Sequence, residues 1–483
     1  MRRLVVLAMS VLVTGAAGAA ATPPAGAATD PNVHVPPAER TTLGNGLRVV
    51  LVPRHELPLL AFELVIRSGG QLDPPGREGT ASLAADLLNH GAGKRDAFAF
   101  IDAVEGAGGS LDAGAGEETI RVRGQFLARD ASLMLELLAD AVQRPRLDAA
   151  EFANLRERHI EELKAAKDSE PQALLPAYGR ALLFAGHPYG RESAGSEASL
   201  ARITHEDVRR YVAESFGADR AILVIAGDFD PKAMKKAVQQ SFGEWHKATR
   251  PLPPLLEPAH LRGRHVLLVD APGSAQSYFW IGNVGVPRKY PQRAALQVAN
   301  IAFGGSFGAM LNQALRVRAG LTYSASSNFG RATVSSDFAI SSFTQTPRTG
   351  DAIELTIATL DALHGTGLET ARIDSARRYL LGQFPLAFET AGDWAHAFGE
   401  LEYYGLPESY YGQFGSELLA ANEAAVRSQV ALRFPSSADL AIVVIGDAAK
   451  IREPLAAFGP VTEMSLASPE FSPAASPAAG ARP

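Results

Sequence analysis

This chain writes the same strand ending twice. Ala218-Asp219-Arg220-Ala221-Ile222-Leu223-Val224-Ile225-Ala226-Gly227-Asp228 is echoed by Ala438-Asp439-Leu440-Ala441-Ile442-Val443-Val444-Ile445-Gly446-Asp447. Each is a β-branched apolar run closing in Gly-Asp, which reads as a buried strand, and each leads into a helical pattern, Pro231 to Phe242 and Ala449 to Phe458. Such an echo points to an internal duplication. The openings agree with it: the strand-like runs Gly46–Val52 and Leu60–Ile66 precede a helical stretch from Gly79 to Asn89, and His265–Val269 and Ser277–Gly282 precede one from Pro291 to Phe303. Between them, residues 246–262 include the Pro-dense run Pro251-Leu252-Pro253-Pro254-Leu255-Leu256-Glu257-Pro258, which sustains neither a helix nor a central strand. The expected layout is therefore an N-terminal half over 35–245, a linker over 246–262 and a C-terminal half over 263–464. Each half is an α+β unit, an α/β sandwich of helices on a mixed, largely antiparallel sheet.

The ends read differently. Met1-Arg2-Arg3, the apolar run from Leu4 to Val13 and the small residues after it form a signal peptide over 1–28, so export to the periplasm is expected. The run is too short for a stable membrane span, and no later stretch is long and apolar enough. From Ser465 to Pro483 the Ala/Ser/Pro-rich composition predicts a disordered tail. There is no cysteine, which excludes disulfides, thiolate metal sites and a cysteine nucleophile. The net charge of -6 on 483 residues, with no basic cluster, argues against a nucleic-acid partner.

Several landmarks fall in a telling order: Gly44-Asn45-Gly46, Gly79-Thr80-Ala81, Gly108-Gly109-Ser110-Leu111-Asp112-Ala113, His187-Pro188-Tyr189-Gly190, Ile203-Thr204-His205-Glu206-Asp207-Val208, and Leu315-Arg316 through Gly320-Leu321-Thr322-Tyr323. In this order and spacing the chain, over about Val35 to Gly459, resembles the pitrilysin/insulinase-type (inverted-zincin) metallopeptidases. The resemblance implies two homologous halves enclosing a clam-like cavity. It also implies His-x-x-Glu-His directly after Gly-x-Ala, where one helical face carries two imidazoles for zinc and a carboxylate to polarise the bound water. Here that frame holds Ser82, Leu83, Ala84, Ala85 and Asp86. Ser82 replaces the first ligand, Ala85 the base and Asp86 the second ligand, while Glu162 matches the remaining ligand position. Glu161 and Glu162 also suit an ordinary solvated helix face. A poor ligand and an alanine in place of the base leave no hydrolytic mechanism, so no metal is expected in this chain. One alternative stays open, a shifted site of Asp86, His90 and Glu162. Gly304-Gly305-Ser306-Phe307-Gly308 lacks the preceding strand of a serine elbow and reads as a glycine-rich turn.

In active relatives an Arg and a Tyr seven residues apart reach from the second half towards the peptide at the zinc. Arg316 and Tyr323 reproduce that spacing, and their donors suit a developing oxyanion. The resemblance further places Gly109, Leu111, Asp112 and Ala113 on an edge strand that pairs with extended substrate, a small-residue segment that lets a peptide backbone approach. A chain with the Arg/Tyr pair but no zinc motif resembles one subunit of a heterodimeric peptidase. Its expected partners are a peptide substrate and a paralogous subunit that carries the zinc. The alternative is a stand-alone, non-enzymatic peptide-binding or assembly protein of the cell envelope.

Overall fold

In a computed structural model that describes residues 30–473, two six-stranded sheets account for the duplicated pattern. The first contains β1 (Glu39–Thr42), β2 (Arg48–Pro53), β3 (Leu59–Ile66), β4 (Ser110–Ala115), β5 (Ile120–Leu127) and β6 (Ala221–Gly227), in the order β1-β2-β6-β3-β5-β4. The second contains β7 (Arg264–Asp270), β8 (Gln276–Val284), β9 (Ala325–Phe329), β10 (Asp337–Gln345), β11 (Leu440–Gly446) and β12 (Val461–Ser465), in the order β12-β7-β11-β8-β10-β9. Apart from the outermost strands β1 and β12, the two orders are the same, with one parallel pair at the same place in each, β2–β6 and β7–β11. β6 and β11 sit inside their sheets and every residue of both is buried, which is why they read as continuous apolar runs rather than alternating ones. The expected signal peptide lies outside the described residues. Residues 246–262 carry no helix or strand.

From Asn32 onward the chain is one compact unit. The cause is a reciprocal exchange of helices. Helix Leu175–Leu183 of the first half lays Leu175, Tyr178 and Leu183 among Leu267, Trp280 and Val443 of the second sheet. Gly179 makes this approach possible, since a Cβ there would lie 2.6 Å from the Trp280 ring. In return, helix Ala391–Tyr404 of the second half lays Trp394, Phe398 and Leu401 among Val50, Val65 and Val224 of the first sheet. Each large apolar side chain so buried contributes about 1.5–3 kcal/mol, so separating the halves would be costly.

The tail corrects an expectation. Past Ser465 the chain is ordered to at least Phe471: Leu466 N donates to Asp270 O at 2.9 Å, Phe471 packs edge-on against Tyr178 with centroids 5.1 Å apart, and Glu470 accepts from Ser196 Oγ at 2.8 Å. The Ala/Ser/Pro composition hid two apolar anchors, Leu466 and Phe471, both buried. Residues 474–483 lie outside the described residues.

Candidate functional site

Helix Thr80–Leu87 occupies the family's zinc-binding place, and its start is fixed without any metal. Gly79 turns into it at φ 98, where a Cβ would lie 2.9 Å from Ala194 O, so only glycine fits. The buried carboxylate of Asp73 then accepts the Gly79 and Ala81 amides, both at 2.8 Å, taking up donors that a helix start leaves orphaned. On this helix Ala85 is wholly buried, while Ser82 and Asp86 lie half-buried one turn apart.

Asp86 does not stand alone. Its Oδ2 lies 2.8 Å from His159 Nε2, on helix Ala149–Ser169. This corrects the position assigned to Glu162. His159 is the residue that meets the site helix, and Glu162, almost one turn further along, has passed the contact: its side chain is 66% exposed and lies 3.7 Å from Arg158. His90 is likewise engaged, with Nδ1 2.8 Å from Glu151 Oε2. The alternative trio of Asp86, His90 and Glu162 therefore goes to three separate partners. Among the described residues no three His, Asp or Glu side chains converge on one point. One carboxylate and one imidazole that satisfy each other do not fit the zinc of the active relatives.

The segment of Gly109, Leu111, Asp112 and Ala113 runs into and along β4, the outermost strand of the first sheet. Leu111 points inward, Asp112 is exposed, and Gly109 clears the Phe126 ring, from which a Cβ would be only 2.5 Å away. β4 and its counterpart β9 differ in a way the sequence did not show. The outer side of β9 is closed by the second half itself: Ala325 N donates to Asn312 Oδ1 at 2.9 Å, Ser327 N to Gly304 O at 3.1 Å, and Asn300 Nδ2 to Ser327 O at 3.1 Å. Among the described residues the backbone of Ser110–Ala115 bonds only to β5, so its outer edge is open.

Arg316 lies in the π-helical turn Gln313–Arg318, and Tyr323 follows on the approach to β9. The guanidinium carbon of Arg316 sits 4.5 Å from the Tyr323 ring centroid and 4.3 Å from that of Phe307. Both rings are on the surface, 71% and 69% exposed, and Arg316 makes no ion pair among the described residues. Phe307 escaped the sequence reading because it lay in a glycine-rich turn weighed only as a false serine elbow. No hydrogen bond, ion pair or ring contact among the described residues joins this stack to Ser82, Ala85 or Asp86.

Two halves of one topology, with the inverted-zincin helix present and its ligands replaced, define a class: a zinc-peptidase scaffold without the hydrolytic residues. Comparison with known proteins agrees. Residues 48–197 match the model of insulinase (peptidase family M16), and residues 202–380 match that of the peptidase M16 inactive domain. The chain belongs to this family, with Ser82, Ala85 and Asp86 where its zinc motif has His, Glu and His. It is 25% identical over 364 residues to an uncharacterized zinc protease of Mycobacterium leprae, covering 75% of this chain and 82% of the relative. It is 24% identical over 367 residues to the non-peptidase homolog YmxG of Helicobacter pylori, covering 75% and 83%. In fold it is similar to a peptidase M16 inactive domain from Pseudomonas fluorescens, with a TM-score of 0.79, 22% identity and coverage of 85% of this chain and 98% of that one.

Proposed function

We propose that this chain is the zinc-less subunit of an exported, two-chain zinc peptidase, to which it lends Arg316 and Tyr323 while a paralogous subunit holds the metal. The observation that carries the reading is the exposed stack. A guanidinium packed against two rings is partly ordered beforehand, so less entropy is lost when it bonds a developing oxyanion. The site helix of the same chain carries Ala85 in place of the base and Ser82 and Asp86 in place of two zinc ligands, so in this reading those donors serve another chain's site. The substrates in this reading are peptides or unfolded segments, and the basic-then-apolar start of the sequence supports export to the periplasm. The test is to isolate the chain from its native envelope and identify what accompanies it, then mix it with any chain bearing His-x-x-Glu-His. Peptidase activity and zinc that appear only in the mixture support the proposal. A zinc-bearing companion whose turnover is unchanged by this chain sinks it.

The open β4 edge favours a second reading, a stand-alone peptide-binding protein of the envelope, because an unpaired edge can take an extended peptide without any chemistry. Peptide binding by the isolated chain, with no zinc-bearing companion found, would put this reading first.

A further inference from the structure

The second half contains a cavity of about 400 Å3 that neither the degenerate site helix nor the Arg316 stack uses. Aromatic rings dominate its walls, among them Phe329, Phe384, Phe388 and Phe414. Its inner polar groups are already engaged: Arg288 pairs with Glu400 at 2.6 Å and Arg293 with Glu417 at 2.8 Å, and His396 Nδ1 lies 3.0 Å from Glu63 Oε2. Asp393 is held by the Thr390 backbone and hydroxyl at 2.8 and 2.7 Å. Of the lining charges the exposed Arg331 and the Thr390-capped Asp393 have no ion pair among the described residues. What the interior offers is apolar surface, in the size range that encloses a bulky side chain or a small molecule.

Its position says which. The lining includes Ile301 and Gly305, and Gly305 is two residues before Phe307. The chain between them spans at most about 7 Å, so the cavity and the Arg316 stack flank the same glycine-rich turn. An extended peptide bonded by its backbone at Arg316 would need only one or two residues to cover that separation. We infer that this cavity receives a bulky apolar side chain, aromatic or branched, of a peptide engaged at Arg316. The inference rests on the peptide-binding reading of Arg316 given above, and it adds a residue class to the substrate.

The test uses the full chain and two fluorescent peptides that differ only in having Phe or Ala at one position, with binding followed by anisotropy. The Phe peptide is expected to bind about tenfold more tightly or better, the difference between burying a ring and a methyl group. Gln297→Trp, on the lining helix Arg293–Phe303, and Ala387→Trp, on a separate, exposed lining segment, should each abolish that preference. Two variants on separate elements guard against one misfolded protein, and thermal melting verifies both. Arg316→Ala reports on the underlying reading and should weaken both peptides alike. A Phe preference that survives both tryptophan variants overturns the cavity while leaving the peptide reading standing. Failure of the folded wild type to bind either peptide, or indifference to Arg316→Ala, overturns the reading itself. N-acetylphenylalaninamide binding as tightly as the Phe peptide would make the cavity a small-molecule site and overturn its assignment to peptide.

Discussion

Glu118, from the first half, accepts a hydrogen bond at 2.7 Å from the phenol of Tyr403, from the second. The same carboxylate accepts Thr333 N at 2.9 Å, Thr333 Oγ1 at 2.7 Å and the Tyr189 hydroxyl. Burial, reinforced by Glu118, pushes both phenols up, so they remain donors across the physiological range. Glu118→Ala would strand these donors in a dry interface. Unfolding free energy should fall by about 3 kcal/mol or more, seen as a lower urea midpoint at unchanged slope. Glu162→Ala, in water, should change it by less than about 0.5 kcal/mol. Equal effects would mean that Glu118 does not hold the halves together.

A second buried carboxylate governs the response to acid. Burial pushes Glu400 up, but Arg288 at 2.6 Å and the Tyr411 hydroxyl at 2.7 Å outweigh it and hold its carboxyl at about 2 rather than 4.5. A folded-state value below the unfolded one stabilises the protein above about pH 4.5, and that stabilisation is lost as pH falls towards 2. Its size is about 3 kcal/mol. Glu400→Gln should therefore lose less stability than wild type between pH 5 and 3. Parallel acid curves for the two proteins would remove Glu400 from the account.

Arg316 should matter for turnover and not for folding. In the two-subunit complex, Arg316→Ala or Tyr323→Phe is expected to lower turnover about a hundredfold, as for the loss of one oxyanion donor. Phe307→Ala, which removes only one face of the stack, should lower it about threefold. Size exclusion should show the complex intact, since two exposed side chains contribute little to a large interface. Unchanged turnover in an intact complex would make the stack structural.

The pair of Asp86 and His159 offers a gain-of-metal test. Ser82→His with Asp86→His would place two imidazoles one turn apart on the site helix, facing the imidazole of His159. This double variant should hold one zinc per chain, lost again on His159→Ala, while wild type holds none there. Metal analysis after dialysis decides it. Zinc retained without His159 would mean that another residue, such as Glu162, completes the site.

The parts legible in the sequence are those whose burial leaves a one-dimensional trace. β6 and β11 are buried on both faces and so repeat as apolar runs, and the glycine at 79 marks a turn only glycine can make. β4 left a weaker trace, because Gly109 before it and Ala113 and Gly114 within it are small residues with no apolar alternation to mark a strand. The apolar faces of helices Leu175–Leu183 and Ala391–Tyr404 announce burial but not the sheet that covers them, so their exchange was invisible. His159 was missed because the family frame drew attention to Glu162, three residues later in the same helix. Leu466 and Phe471 were lost in the average composition of their neighbours.

The exchanged helices carry an implication for how such a chain arose. Two equal units that each complete the other's sheet with the equivalent helix have the geometry of a domain-swapped homodimer. Residues 246–262 then act as a tether between former protomers rather than as a spacer between autonomous domains. Expressed separately, neither half would have a finished core, whereas a chain nicked at the tether should hold together as a noncovalent pair. The pseudo-symmetry that remains would also explain the division of labour: once two copies shared one polypeptide, the open edge at β4 and the closed edge at β9 were free to diverge.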